Sequence, residues 1–169
     1  DHRPASLEDL MEEIALWEKR CELYPDDMLI ARTVDDILEA KESGRVAVIM
    51  GLQNAAPIGG NPDLLRILHR VGVRVIGLTY QYSNLLGGGN AEPVDGGLTT
   101  LGREVVQAMN ALGVLIGLSH VGIRSSLEAM DLSKDPVVFS HGNVRRLSDH
   151  PRHLTDEQIV ALAANGGVI

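Results

Sequence analysis

The chain has 169 residues, 44% of them hydrophobic, which suits a single folded domain with its own core rather than a disordered segment. Its 15 Lys and Arg residues are outnumbered by 23 Asp and Glu, and the net charge of −8 is spread along the chain, which argues against nucleic acid or an anionic membrane as a partner. The single cysteine, Cys21, rules out a disulfide framework within this sequence, and no apolar run approaches the roughly 18 residues of a membrane span.

Two helices are predicted in the first 44 residues. Ser6 is the expected N-cap of a helix that runs to about Tyr24, because apolar side chains recur along it at three- and four-residue spacing. A Pro-Asp-Asp sequence then breaks this helix. A second, shorter helix is predicted over Val34–Ser43, with Thr33 as its cap and Gly44 as its end.

From residue 45 onward, short apolar runs alternate with amphipathic segments. The apolar runs are Val46–Gln53, Val73–Tyr80, Val114–His120 and Val137–His141. Helices are predicted between and after them, at Asp63–Val71, Leu98–Leu112, Ser125–Leu132 and Thr155–Asn165. Strands that are apolar on both faces and alternate with helices indicate an α/β fold with a parallel sheet covered by helices.

Polar residues at the strand ends favour a closed barrel over an open, doubly wound sheet. Gln53, Tyr80, His120 and His141 each end an apolar run. Active sites of (β/α)8 barrels assemble at the C-terminal ends of consecutive strands, so these four side chains are predicted to line one mouth. We therefore expect part of a (β/α)8 TIM-type barrel.

The expected organisation is a single domain over residues 1–169. Residues 1–44 form a helical lead-in, and residues 45–169 carry the βα repeats. Eight strands close a barrel of this type, whereas the sequence supplies about four βα units and, at residues 166–169, the beginning of a fifth strand. We therefore expect an internal fragment of a longer chain.

Two histidines carry the strongest indication of chemistry. Ser119-His120 and Ser140-His141 repeat one pattern at neighbouring strand ends, so both imidazoles are predicted to point into the same mouth. Neutral imidazole is a common zinc ligand, and catalytic zinc sites leave one position open for water. The alternative is that each histidine is a hydrogen-bonded structural residue. Because neighbours along a strand point to opposite faces, the two serines are not predicted as nucleophiles.

A run of three glycines, Gly87-Gly88-Gly89, is the remaining motif of interest. It lacks the Gly-Lys-Ser/Thr ending of a phosphate-binding loop, and no helix follows it directly. We therefore predict a flexible loop at this position.

The segment from Gly44 to the C-terminus resembles the membrane (renal) dipeptidase family, peptidase family M19. The matching stretches include Gly72-Val73-Arg74, Gly97-Leu98-Thr99, Met109-Asn110, Pro136 to His141, Pro151-Arg152 and Leu154 to Gln158. The resemblance implies a (β/α)8 barrel of the amidohydrolase-like superfamily that uses two zinc ions to hydrolyse dipeptides.

The resemblance also implies roles for three residues. His120 and His141 stand where the family places two ligands of one zinc ion. Arg152 stands where the family places the arginine that holds the substrate carboxylate, a role that suits a planar fork of donors. The first-strand His-x-Asp pair and a late aspartate of the family's site have no counterpart in this sequence.

Three positions depart from the family pattern. Gln53 stands where the family has a glutamate that bridges both metals, and a neutral amide is a weaker metal ligand that supplies no charge. Tyr80 replaces a histidine that stabilises the tetrahedral intermediate, although a tyrosine hydroxyl can still donate a hydrogen bond to an oxyanion and contact substrate. Gly117 replaces an aspartate and so removes a carboxylate close to the metal ligands.

The leading hypothesis is a metallohydrolase that cleaves the amide bond of dipeptides with a zinc-activated water. The full-length parent would hold one or two zinc ions. This fragment alone is expected to be inactive. The alternatives are a non-catalytic or repurposed relative that binds a small carboxylate ligand, and a hydrolase of a non-peptide amide or lactone. The expected ligand is a dipeptide or another small carboxylate-bearing molecule, without nucleic acid or a membrane span. A homodimer is compatible with the resemblance, and a soluble protein of either the cytoplasm or the periplasm is expected.

Overall fold

The computed structural model describes residues 6–169, and two capped helices open it. α1 (Leu7–Leu23) begins with a reciprocal capping box, in which the Ser6 hydroxyl accepts a hydrogen bond from the Asp9 N–H and the Asp9 carboxylate accepts one from the Ser6 N–H. α2 (Val34–Ser43) begins with the same arrangement at Thr33. Both helices were predicted within one residue of these bounds, because the caps are local in sequence.

Short parallel strands make up the sheets. Five are assigned among residues 6–169: β1 (Met28–Ile30), β2 (Val46–Val48), β3 (Met50–Leu52), β4 (Val73–Gly77) and β5 (Leu115–Gly117). β1 pairs with β2, and β3, β4 and β5 form a second sheet in that order, all in parallel. The predicted strand Val46–Gln53 is therefore divided between two sheets, and β1 was not predicted.

Helices alternate with the strands, as the βα repeat requires. They are α3 (Leu64–Arg70), α4 (Thr100–Leu112), α5 (Ile123–Leu132) and α6 (Asp156–Asn165), with a short 3-10 helix at Ala56–Ile58. α4 was predicted to begin at Leu98 but begins two residues later, because the Thr99 hydroxyl accepts a hydrogen bond from the Gly102 N–H and caps the helix. Among the described residues, no helix has both the length and the apolar character needed to cross a bilayer.

The predicted fourth strand, Val137–His141, forms only isolated bridges at Val138. Val138 bridges Gly117 on one side and Val168 on the other, so this segment continues the sheet next to β5. The ladder ends because the His141 N–H donates to the Ser119 hydroxyl instead of to a backbone carbonyl. The prediction of a full strand was therefore too long, whereas its place in the order of strands was correct.

The core lies between the main sheet and the helices that cover it. Many of its most buried members come from the strands and their immediate ends and from α3 and α4, among them Leu65, Leu68, Ile76, Leu78, Val105, Val106, Met109, Ile116 and Leu118, each 1% exposed or less. The strands of the main sheet run in parallel, so their C-terminal ends lie along one edge. The C-terminal strand ends therefore form the edge at which a site can assemble.

Candidate active site

Three of the predicted side chains meet beyond the C-terminal ends of the strands. The His120 and His141 Nε2 atoms lie 3.0 Å apart, and the Gln53 Nε2 atom lies 3.1 Å from each of them. Gln53 follows β3 directly, and His120 follows β5 after two residues. The parallel order of the strands is what carries these residues to one edge, although Gln53 is 67 positions from His120 and 88 positions from His141 in the sequence.

The triangle of nitrogen atoms can hold two hydrogen bonds, and its spacing also fits a cation. An imidazole nitrogen either donates or accepts, so at most two of the three contacts can be hydrogen bonds at once. Ligand distances of about 2.0–2.1 Å around a tetrahedral zinc place neighbouring nitrogens about 3.3 Å apart, close to the observed spacing. Turning the Gln53 amide, whose oxygen and nitrogen are interchangeable by shape, brings its carbonyl oxygen to the same point.

The candidate ligand set within residues 6–169 is neutral. Among the described residues, no group of three or more His, Cys, Asp or Glu side chains is placed to hold a metal ion. The candidate ligands are therefore two imidazoles and one amide, with no carboxylate to offset the charge of a dication.

The His120 side chain is buried, with 5% of its surface exposed. Burial lowers its pKa to about 4, with smaller contributions from the positive charge of Arg152 and from His141. The ring is therefore neutral at physiological pH and keeps a lone pair for a metal. Its backbone carbonyl accepts hydrogen bonds from the Asn90 N–H at 3.0 Å and the Thr79 hydroxyl at 3.3 Å, which anchor the end of the strand.

The two serines support His141 from the side opposite to the nitrogen triangle. The Ser140 Oγ lies 2.9 Å from the His141 Nδ1 and 3.2 Å from the Ser119 Oγ, which in turn accepts a hydrogen bond from the His141 N–H. A partner on one ring nitrogen fixes the direction of the other. The serine hydroxyls thus orient a candidate ligand, and neither of them reaches the point where the Nε2 atoms converge.

Arg152 and Tyr80 complete the group. The Arg152 guanidinium donates a hydrogen bond to the Ser119 backbone carbonyl, and burial lowers the pKa of Arg152 while the nearby Tyr80 phenol acts in the opposite direction. The Tyr80 ring lies over His120, with ring centroids 4.1 Å apart. The four strand-end side chains are therefore neighbours, and Arg152 is joined to them through the Ser119 carbonyl.

The three glycines form a loop, as predicted, but this loop is packed, so its description as flexible was wrong. Gly87, Gly88 and Gly89 are all buried. A Cβ atom on Gly88 would overlap the Asp95 carboxylate, and one on Gly89 would overlap the backbone carbonyl of Gln81. The glycines are needed because the backbone of this segment lies directly against other parts of the mouth. Sequence reasoning missed this role because it depends on contacts distant in the sequence.

Residues 2–169 match the family model of membrane dipeptidase, peptidase family M19. The chain belongs to peptidase family M19. Among the M19 relatives, the chain is 35% identical to dipeptidase tcpJ of Claviceps purpurea, covering 98% of this chain and 39% of that protein. It is also 35% identical to dipeptidase verJ of Clonostachys rogersoniana, covering 99% of this chain and 44% of that protein.

Two solved hydrolase structures have the same fold. An amidohydrolase from Pseudomonas aeruginosa matches with a TM-score of 0.93 and 34% identity, covering 97% of this chain and 50% of that one. A metallo peptidase from Rhodobacter sphaeroides, liganded with a phosphinate mimic of the dipeptide L-Ala-D-Ala, matches with a TM-score of 0.84 and 28% identity, covering 94% and 46%. The prediction of part of a TIM-type barrel is thereby confirmed. The chain spans 39–50% of the length of these four proteins.

Proposed function

We propose that this M19 chain supplies half of the active site of a zinc-dependent hydrolase that cleaves dipeptides. The observation that carries the proposal is the convergence of the His120, His141 and Gln53 side chains on one point, within 3.0–3.1 Å of each other. A zinc ion bound there would supply Lewis-acid polarisation of an amide carbonyl and activation of a water molecule.

His120 and His141 are the proposed metal ligands, and Gln53 is a weaker one. Burial keeps His120 uncharged by lowering its pKa to about 4, so the lone pair on its Nε2 is available. His141 is oriented by the Ser140 hydroxyl at 2.9 Å from its Nδ1. Together the two imidazoles provide adjacent positions of a tetrahedral ligand set.

Arg152 is proposed to bind the carboxylate of the substrate. Its guanidinium is half-buried and donates to the Ser119 carbonyl, which fixes the plane of the fork near the mouth. An arginine held in this way recognises a carboxylate through two parallel hydrogen bonds. The dipeptide mimic bound by the Rhodobacter sphaeroides metallo peptidase supports a small peptide as the substrate class.

Tyr80 is proposed to act on the substrate through its hydroxyl. Tyr80 is 37% exposed, and its ring lies against the His120 ring. A hydroxyl that donates to an oxygen as negative charge develops on it stabilises the transition state more than the ground state. The proton of the Tyr80 hydroxyl remains on Tyr80 during this step.

A second candidate function is non-catalytic binding of a small carboxylate. The neutral Gln53 amide and the absence of a third imidazole or carboxylate among the described residues favour it. In this case Arg152 alone would hold the ligand, and a metal ion would not be required.

Zinc binding to the 169-residue chain tests the proposal. We expect zinc to compete with a chromophoric chelator for the wild-type chain, and the His120→Ala and His141→Ala variants to lose this binding. His150→Ala, an exposed histidine outside the triangle, is the matched control and should bind zinc as the wild type does. Absence of zinc binding, or equal loss in all three variants, would contradict the proposal. Binding of L-Ala-D-Ala that survives removal of zinc with EDTA would indicate the second candidate.

A further inference from the structure

His120 lacks the hydrogen bond that usually orients a metal-binding histidine. Its Nδ1 atom is buried and, among the described residues, has no hydrogen-bond partner. A ligating histidine commonly donates its second ring N–H to a carboxylate, a backbone carbonyl or water. The His141 ring has such a partner in Ser140, whereas the orientation of the His120 ring must be fixed in another way.

The Tyr80 ring is the group that covers His120. The two ring centroids are 4.1 Å apart and the planes are tilted by 33°, which is contact distance for stacked rings. His141 meets the His120 ring from another direction, with centroids 5.0 Å apart and an edge-on angle of 61°. The His120 ring is therefore confined by packing between two aromatic neighbours.

The backbone directly after Tyr80 is held in an unusual conformation. Gln81 has a positive φ of 56°, the only such value outside glycine among the described residues. The Tyr82 N–H donates to the Tyr80 carbonyl at 2.6 Å across this tight turn, and the Ala91 N–H donates to the Gln81 carbonyl at 2.8 Å. A left-handed residue of this size costs conformational energy and persists only where its surroundings enforce it.

Gly89 packs directly against this turn. Its backbone lies so close to the Gln81 peptide that a Cβ atom would overlap the Gln81 carbonyl. Gly89 also forms a bridge with Val121, directly after His120, and the Asn90 N–H donates to the His120 carbonyl. One buried segment thus contacts both the turn that carries Tyr80 and the strand end that carries His120.

We propose that Tyr80 is the positioning residue for His120, holding the imidazole by ring packing in place of a hydrogen bond to its Nδ1. Gly89 sets the distance between the two rings by fixing the Gln81 turn against the strand end. This role belongs to the ring of Tyr80 and is separate from the hydroxyl role above. It rests on the proposed function only in treating His120 as a metal ligand.

Comparison of Tyr80→Phe with Tyr80→Ala separates the ring from the hydroxyl. In NMR spectra of the 169-residue chain, the ring protons of His120 should be shifted upfield by the overlying Tyr80 ring. Tyr80→Phe should keep this shift, and Tyr80→Ala should abolish it. Tyr82→Ala is the matched control, because Tyr82 is 58% exposed in the same turn and should leave the His120 signals unchanged.

Zinc affinity provides the second measurement. Tyr80→Ala should weaken zinc binding about tenfold, which is the lower end of the loss of metal affinity seen when a group that supports a metal ligand is removed. Tyr80→Phe should bind zinc as the wild type does. Gly89→Ala should weaken zinc binding in the same direction by displacing the turn. Gly96→Ala is its control in the same loop, since a Cβ atom there meets nothing within 4 Å.

The outcomes distinguish this inference from the proposed function. Unchanged His120 shifts in Tyr80→Ala, or equal changes in Tyr80→Phe and Tyr80→Ala, would overturn the positioning role whatever the zinc affinity. If the wild-type chain binds no zinc while the His120 shifts depend on the Tyr80 ring as expected, the proposed function fails and the positioning role stands.

Discussion

Gln53→Glu is the substitution that most directly tests the charge of the site. The Gln53 Nε2 atom lies 3.1 Å from both imidazole nitrogens, so a glutamate at this position places a carboxylate next to any cation they hold. Because Gln53 is exposed, the attraction between a carboxylate at this position and a bound cation should be close to its value in water. Two unit charges 4 Å apart then attract by about 1 kcal/mol, or about 2 kcal/mol for a dication.

We therefore expect Gln53→Glu to tighten zinc binding about 30-fold, the equivalent of about 2 kcal/mol. The assay is competition with a chromophoric chelator, combined with metal analysis after identical dialysis of both forms. Gln107→Glu, which adds the same charge on the exposed side of α4, is the control and should leave the zinc affinity unchanged.

The same measurement reports the number of metal ions. With the neutral Gln53 side chain, we expect fewer than two tightly held ions per chain, because no carboxylate offsets the repulsion between two dications. Two equivalents of zinc retained by the Gln53 form, or equal affinities of the Gln53 and Glu forms, would refute this reasoning.

Three further predictions follow from the contacts described above. Arg152→Lys should weaken binding of L-Ala-D-Ala to the zinc-loaded chain about tenfold, measured by calorimetry, because it removes one charged hydrogen bond. Met109→Ala should lower the free energy of unfolding in urea by about 2–5 kcal/mol because the side chain is 0% exposed, whereas Leu147→Ala, at 79% exposed, should change it by less than about 0.5 kcal/mol. Hydrogen bonds from the backbone N–H of Arg32 and from Thr33 lower the pKa of Asp36. The contribution of Asp36 to stability is therefore present above the unfolded pKa of about 3.9 and is lost as pH falls through the lower pKa of the folded state. Asp36→Asn should accordingly reduce the fall in melting temperature between about pH 6 and pH 3.

The helices were predictable because their signals are local. Ser6 and Thr33 cap helices through residues three positions away, and Gly44 ends α2 with a left-handed φ of 73°. The strands were less predictable in length. The apolar run Val73–Tyr80 includes Leu78 and Thr79, which are buried but lie beyond the end of β4 at Gly77. Hydrophobicity reports burial, and burial continues past the point where the ladder of hydrogen bonds ends.

The meeting of Gln53, His120 and His141 was predictable in outline because the βα repeat places equivalent positions at one edge of a parallel sheet. Their supporting contacts were not predictable from this repeat. The Tyr80 ring over His120 and the Ser140 hydroxyl beside His141 depend on side-chain directions after the strands end. Such directions are set by the loops, whose paths are fixed by contacts distant in the sequence.

Two arginines at opposite edges of the sheet illustrate how structure separates stability from function. Arg74, near the N-terminal end of β4, donates to the backbone carbonyls of Arg32, His69 and Val73 at 2.7–3.0 Å. Arg152, at the C-terminal edge, donates through its side chain to one protein acceptor among the described residues, the Ser119 carbonyl. A guanidinium carries five N–H donors. Most of the Arg74 donors are bonded to the backbone, whereas Arg152 retains donors that can bind a ligand. In barrels of this type the N-terminal edge serves stability and the C-terminal edge serves chemistry, and the two arginines divide accordingly.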